Sequence, residues 1–171
     1  NYMKRAFTLI ELLVVIAIIG VLVGVVFVAL DPATRFEQAR DAVRQNDAQE
    51  ILSAVKLNQV DNEGDYLAAV AATTAGSVYM IVDGAMAAGC DDNNTSCDTA
   101  VTSDTTCINL AGLVDQYLED VPVSPTGVIT WDDGSAAGEE GTGYTLERET
   151  NGVIRIRSCE SEDTTEIEAA R

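Results

Sequence analysis

Four cysteines, one glutamate inside an apolar run and two clusters of acids are the residues of this chain whose types and spacing could do chemistry. There is no histidine, which removes hydrolysis with an imidazole base, His-ligated zinc and haem ligation. Cys90, Cys97, Cys107 and Cys159 are an even number with no Cys-x-x-Cys pair, so disulfides are expected rather than a metal. Loop length favours Cys90 with Cys97 as a tight loop and Cys107 with Cys159 as a long one, the latter worth about 4 kcal/mol in the chain-entropy model. Asp92-x-Asn94-x-Ser96-x-Asp98 alternates like an oxygen-ligand calcium loop but lacks the sharp-turn glycine and the closing glutamate. Trp131-Asp132-Asp133-Gly134 with Glu139-Glu140 is a second acidic cluster, and one tryptophan makes no sugar platform for a glycosidase. The expectation is solvated acidic loops, no resident cofactor or metal, with calcium as the alternative ligand, and no enzyme. Asn93 and Asn94 each begin an Asn-x-Ser/Thr glycosylation sequon.

The elements that must carry these residues differ sharply along the chain. With 171 residues, one modest core is the expectation. Ten Lys and Arg against 28 Asp and Glu give a net charge of -18. Residues 57–147 hold sixteen acids and no Lys or Arg, a surface that repels phosphate backbones, so no direct nucleic-acid binding is expected. Leu12 to Leu30 is instead a run of nineteen residues without charge. At about 1.5 Å per residue this run spans roughly 28 Å as a helix, close to a bilayer core. Lys4 and Arg5 precede it and Asp31 follows, which places the short N-terminus in the cytoplasm and the remainder outside. Glu11 stands just inside the run, where an isolated carboxylate needs a cationic partner or an edge position from which it snorkels to water. Gly20 and Gly24, four apart, make a small-xxx-small patch suited to close helix approach.

Lys4-Arg5-Ala6-Phe7-Thr8-Leu9-Ile10-Glu11-Leu12-Leu13 resembles the class III signal sequence of bacterial type IV pilins and pseudopilins. The likeness is specific over residues 4 to about 30, weaker through the next helix and architectural beyond it. It implies that a prepilin peptidase cuts between Ala6 and Phe7 and methylates the new amino group. Ala6 stands where glycine is commoner in the family, and Asn1-Tyr2 stand ahead of Met3. It also implies that Glu11, fifth residue of the mature chain, meets the Phe7 amino terminus of a neighbouring subunit. Elementary electrostatics agrees, because cleavage would create the positive charge that Glu11 lacks. Some related pseudopilins hold calcium in acidic head loops, which is what keeps that ligand in view.

The expected fold is α+β. Residues 1–6 are a leader and 7–30 a membrane and filament-core helix; 31–60 form an amphipathic helix packed in the head, and 61–171 an acidic head with a short antiparallel sheet and a C-terminal hairpin. Pro32 should kink or melt the helix near Ala29 to Pro32. Phe36, Ala39, Val43, Ile51 and Val55 are read as the apolar face of the second helix, with Arg35, Arg40, Arg44 and Lys56 elsewhere. Leu110 to Leu118 reads as a short helix, Val78 to Val82 and Val128 to Trp131 as strands, and Val121 to Pro125 as an extended connection. For the last hairpin, a three-residue loop Thr150 to Gly152 pairs Leu146 with Ile156 and Glu147 with Arg155, giving one apolar and one salt-bridged face, with Gly152 at positive φ.

The resulting expectation is a structural subunit held in the inner membrane that polymerises through its helix into a cell-surface filament. Its partners would be copies of itself, the prepilin peptidase and the assembly machinery. Two readings stay beside it: a pseudopilin of a type II secretion system, and a membrane-anchored acidic ectodomain that never polymerises.

Overall fold

The computed structural model describes residues 7–82, 92–102, 107–131 and 141–171. Two compact units divide the chain, one ending at Phe36 and the other running Glu37–Arg171. Helix α1 (Leu9–Leu30) starts on Thr8 and ends at Asp31, whose φ of 37° and ψ of 72° place it in the left-handed region. Helix α2 (Pro32–Asp61) begins with Pro32 at its first position, where the missing amide donor costs nothing. The Asp31 carboxylate accepts from the Thr34 hydroxyl at 2.8 Å, closing that junction locally.

In the second unit a one-turn helix α3 (Ala68–Ala71) leads into strands β1 (Val78–Val82), β2 (Ile108–Asn109), β3 (Gly141–Arg148), β4 (Ile154–Ser158) and β5 (Glu168–Ala170). They form one sheet in the order β2-β1-β3-β4-β5. The expected antiparallel sheet is in fact mixed, because β2 runs parallel to β1 while the other pairs are antiparallel. All of β1 is buried, so both of its faces are covered. On one face Tyr79, Ile81, Tyr144, Leu146, Ile154 and Ile156 pack with Ala48, Ile51 and Val55 of α2. On the other, Met80 and Val82 pack with Trp131, Cys159 and Val123.

The β3–β4 hairpin has the expected register: Leu146 faces Ile156, Glu147 faces Arg155, and Gly152 has φ of 86°. Glu149 N–H donates to the Val153 carbonyl at 2.8 Å, leaving the three-residue loop between them. The charged face forms as well, but its ion pairs run diagonally. Arg157 lies in ion-pair contact with Glu147 at 2.8 Å, while Arg155 hydrogen-bonds Glu149 and, at 2.8 Å, Glu168 of β5.

Three expected elements differ. Residues 110–118 give only a short 3₁₀ turn, Ala111–Leu113, because Asp115 adopts φ of 68° and stops a helix, although Leu110, Leu113 and Leu118 are still buried. Val128 to Trp131 is not a strand: the amides of Val128 and Ile129 donate to Glu160 Oε1 at 3.1 and 3.0 Å instead of to a ladder. The third is the buried face of α2. Phe36 and Val43 are exposed, while Asp41 and Arg44 occupy the buried stripe with Ala48, Ile51, Leu52 and Val55.

Candidate functional site: the N-terminal assembly segment

An N-cap needs a short oxygen-bearing side chain followed three residues later by an acid, and Thr8-Leu9-Ile10-Glu11 supplies both. The Thr8 Oγ1 accepts from the Glu11 amide at 3.3 Å, and the Glu11 carboxylate accepts from the Thr8 amide at 2.9 Å and the Thr8 hydroxyl at 2.7 Å. The capping box therefore satisfies Glu11 within its own chain, using the donors that a helix start leaves over. Thr8 is a further residue of this site, and its sequence signal is the T-x-x-E spacing.

From Thr8 onward α1 contains no buried residue. Leu9, Val21 and Val28 are 80, 68 and 83% exposed, and Phe7 is 78% exposed. Such an apolar surface, presented on every side, is of the kind that marks a membrane or protein interaction site. A Cβ added at Gly20 or Gly24 would meet nothing within 4 Å, so the small-residue patch lies open along one side of the helix. Within the helical stretch Leu9–Asp61 is a window long and apolar enough to cross a membrane. Of the residues singled out in the sequence, Phe7, Glu11, Gly20 and Gly24 thus lie on one element, Pro32 opens the next, and Ala6 lies outside the described residues, as do Lys4 and Arg5.

Residues 1–27 match the prokaryotic N-terminal methylation motif. This motif is the class III signal peptide of type IV pilins, and it carries the Ala6-Phe7 junction, Glu11, Gly20 and Gly24. The apolar helix that the motif opens fits membrane anchoring. No curated protein and no solved structure matches the chain.

The head is fixed to α2 by a cluster that charge patterning concealed. Arg44 is completely buried, and its guanidinium reaches Asp41 at 2.8 Å, Glu162 at 2.7 Å and Glu160 at 3.6 Å. It also donates to Ser124 Oγ and the Pro125 carbonyl, both at 3.1 Å. Arg40 bonds Glu162 from the next turn of α2. Asp41 in turn accepts the backbone amides of Glu162, Asp163 and Thr164 at 2.8 to 3.3 Å. Burial opposes ionisation of Asp41, but these amides and Arg44 outweigh it and hold the carboxyl below its usual range. The Arg40 hydrogen bond, reinforced by Arg44, pulls Glu162 down to about 2. Glu160 adds the Trp131 indole N–H, accepted at 3.1 Å. A buried ion set of this kind holds a segment in place only because every charge in it has hydrogen-bond partners. The spacing 41, 44, 48, 51, 55, 58 follows a helical stripe, the signal that places Arg44 on the buried face in spite of its charge.

The cysteines pair differently from expectation. Cys97 bonds Cys159, so the tight Cys90–Cys97 loop and the Cys107–Cys159 bridge are both overturned. Cys107 is disulfide-bonded as well, and Cys90 lies outside the described residues. The physical reason is the sheet: Cys159 directly follows β4, and its carbonyl accepts from Asp98 N–H at 2.7 Å, bringing the 97–98 segment alongside. Of the calcium-like alternation, Asp92–Ser96 forms a 3₁₀ turn. Asp132, Asp133, Glu139 and Glu140 lie outside the described residues, and among the described residues no group of three or more Cys, Asp or Glu is arranged to hold a metal.

Proposed function

We propose that this chain is a type IV pilin-like structural subunit, held in the inner membrane through residues 7–30 and then polymerised through that helix into an extracellular filament. The carrying observation is that the methylation motif at residues 1–27 opens a helix with no residue buried by its own chain. An apolar helix in that condition needs lipid first and copies of itself afterwards. Lipid and filament core are similarly apolar, so the transfer is close to neutral, and van der Waals packing with the Glu11 charge sets the register. Cleavage before Phe7 supplies the amino group that Glu11 would meet on a neighbour. The prepilin peptidase and the assembly machinery are the partners this requires.

The test is to shear cells, image the released material by electron microscopy and read the N-terminal mass of the subunit in it. Long filaments built from this chain, starting at methylated Phe7, are the expected result. Protein retained in membranes as short periplasmic assemblies would favour the pseudopilin, and monomeric retention would sink polymerisation altogether.

A further inference from the structure

Seven of the ten basic residues lie in the unit Glu37–Arg171, and their placement is uneven. Arg40, Arg44, Arg155 and Arg157 are all taken up in ion pairs with carboxylates of the same chain. Arg148 is held by Thr73. Two remain, Lys56 and Arg171, and among the described residues neither pairs with an Asp or Glu side chain. Lys56 Nζ finds only the amide oxygen of Gln59 at 3.3 Å and the face of Tyr66, 5.6 Å from the ring centre.

Both cations line the same open groove, about 650 Å³ in volume, with Leu57 and Val60 on the outer side of α2. Among the described residues no Asp or Glu lines it. Leu57 and Val60 are 54 and 74% exposed, an adjacent apolar pair where a helix packed in a soluble head would ordinarily show polar residues. The groove therefore presents the Lys56 ammonium and the Arg171 guanidinium around an apolar floor, on a chain whose net charge is -18.

We propose that this groove is a contact between copies of the chain, receiving a carboxylate-bearing segment of a neighbour drawn from the cation-free stretch 57–147. The inference rests on the polymerisation reading and names the surface that reading leaves open. Charge complementarity selects the occupant. Subunits of such net charge repel one another when stacked, and a repeating array needs attractive pairs placed at its interfaces to set partner and register. The ion pairs already formed within the head cannot serve, whereas Lys56 and Arg171 can.

The test uses the full chain in cells, with a photo-reactive phenylalanine analogue at the exposed groove position Ser53 and, separately, the double variant Lys56→Glu, Arg171→Glu. Illumination is expected to give a covalent dimer of this chain. The double variant is expected to fold, with an unchanged melting temperature, and to enter the membrane, while losing that crosslink and yielding at least tenfold fewer sheared filaments. The double variant Lys56→Arg, Arg171→Lys should restore both. A crosslink only to another protein, or wild-type filament yield from the Glu variant, overturns the groove assignment while leaving polymerisation intact. If the parent chain makes no filaments, polymerisation fails, and the dimer crosslink must still form for the groove contact to stand.

Discussion

Arg44 on α2 and Glu162 beyond β4, 118 residues apart in sequence, meet at 2.7 Å with the guanidinium fully buried. Removing the cation leaves Asp41, Glu160 and Glu162 close together without the buried charge they share, although Arg40 still pairs with Glu162. Arg44→Met is therefore expected to cost about 3–5 kcal/mol in a denaturant titration, far more than any exposed arginine. Arg44→Lys should recover only part of this, because a point charge cannot reach Ser124, Pro125 and the carboxylates together.

Acid should act on the same contact. Glu162 has a folded value of about 2 against an ordinary 4.5, so the unfolded chain binds more protons between those values. Its stabilisation is complete above pH 4.5 and is lost as pH falls toward 2, and Asp41 and Glu149 have the same sign. Asp47, raised by burial despite accepting the Tyr144 hydroxyl at 2.6 Å, has the opposite sign and weakens the head as it ionises. The expected net outcome is acid loosening, visible as a red shift in the emission of Trp131, the single tryptophan, which is buried beside Glu160. Glu162→Gln should flatten that profile.

Gly127 sits against the cluster. A Cβ there would lie 2.6 Å from Glu162 Oε1 and 2.7 Å from the Arg44 guanidinium. Gly127→Ala is expected to cost about 1–3 kcal/mol through displaced ion pairs, and thermal melting beside Arg44→Met should show the two effects to be less than additive.

Digestion without reduction should release a peptide linking Cys97 to Cys159 and none linking Cys107 to Cys159. The bridge spans 62 residues, so removing both partners as a Ser pair should cost about 4 kcal/mol by chain entropy.

At the other end of the chain, Glu11→Ala is expected to insert into membranes normally and to stop filament recovery. Thr8→Val keeps the acid but removes the hydroxyl that caps it. It should leave the Glu11 charge available to a neighbour and so preserve assembly. Immunoblots of membrane and sheared fractions separate the two variants, and filaments from Glu11→Ala would refute a charge-set register.

How far these features could be read from residues alone depended on what competes with local pattern. The hairpin was legible because period-two alternation on both sides of Asn151-Gly152 allows one register that puts Leu146 opposite Ile156. Helix α1 was legible because nineteen uncharged residues admit few other structures. Arg44 lies on the buried stripe of its helix, but its charge argues for solvent, and two of the three carboxylates that allow its burial, Glu160 and Glu162, are more than a hundred positions away. Val128 to Trp131 has strand composition, yet the distant Glu160 takes its amides. Disulfide pairing failed for the same reason: loop length ranks connectivities, but Cys97 and Cys159 meet because the sheet brings them together.

The absence of any buried residue in α1 has a thermodynamic corollary. With no side chain buried, its helix-coil equilibrium is expected to follow the surrounding solvent more than the cooperative transition of Glu37–Arg171. Heating the detergent-solubilised protein should therefore abolish the tertiary signal of the head in one step and leave a residual helical ellipticity, of the size expected for about 22 residues, that persists until the micelle itself is removed.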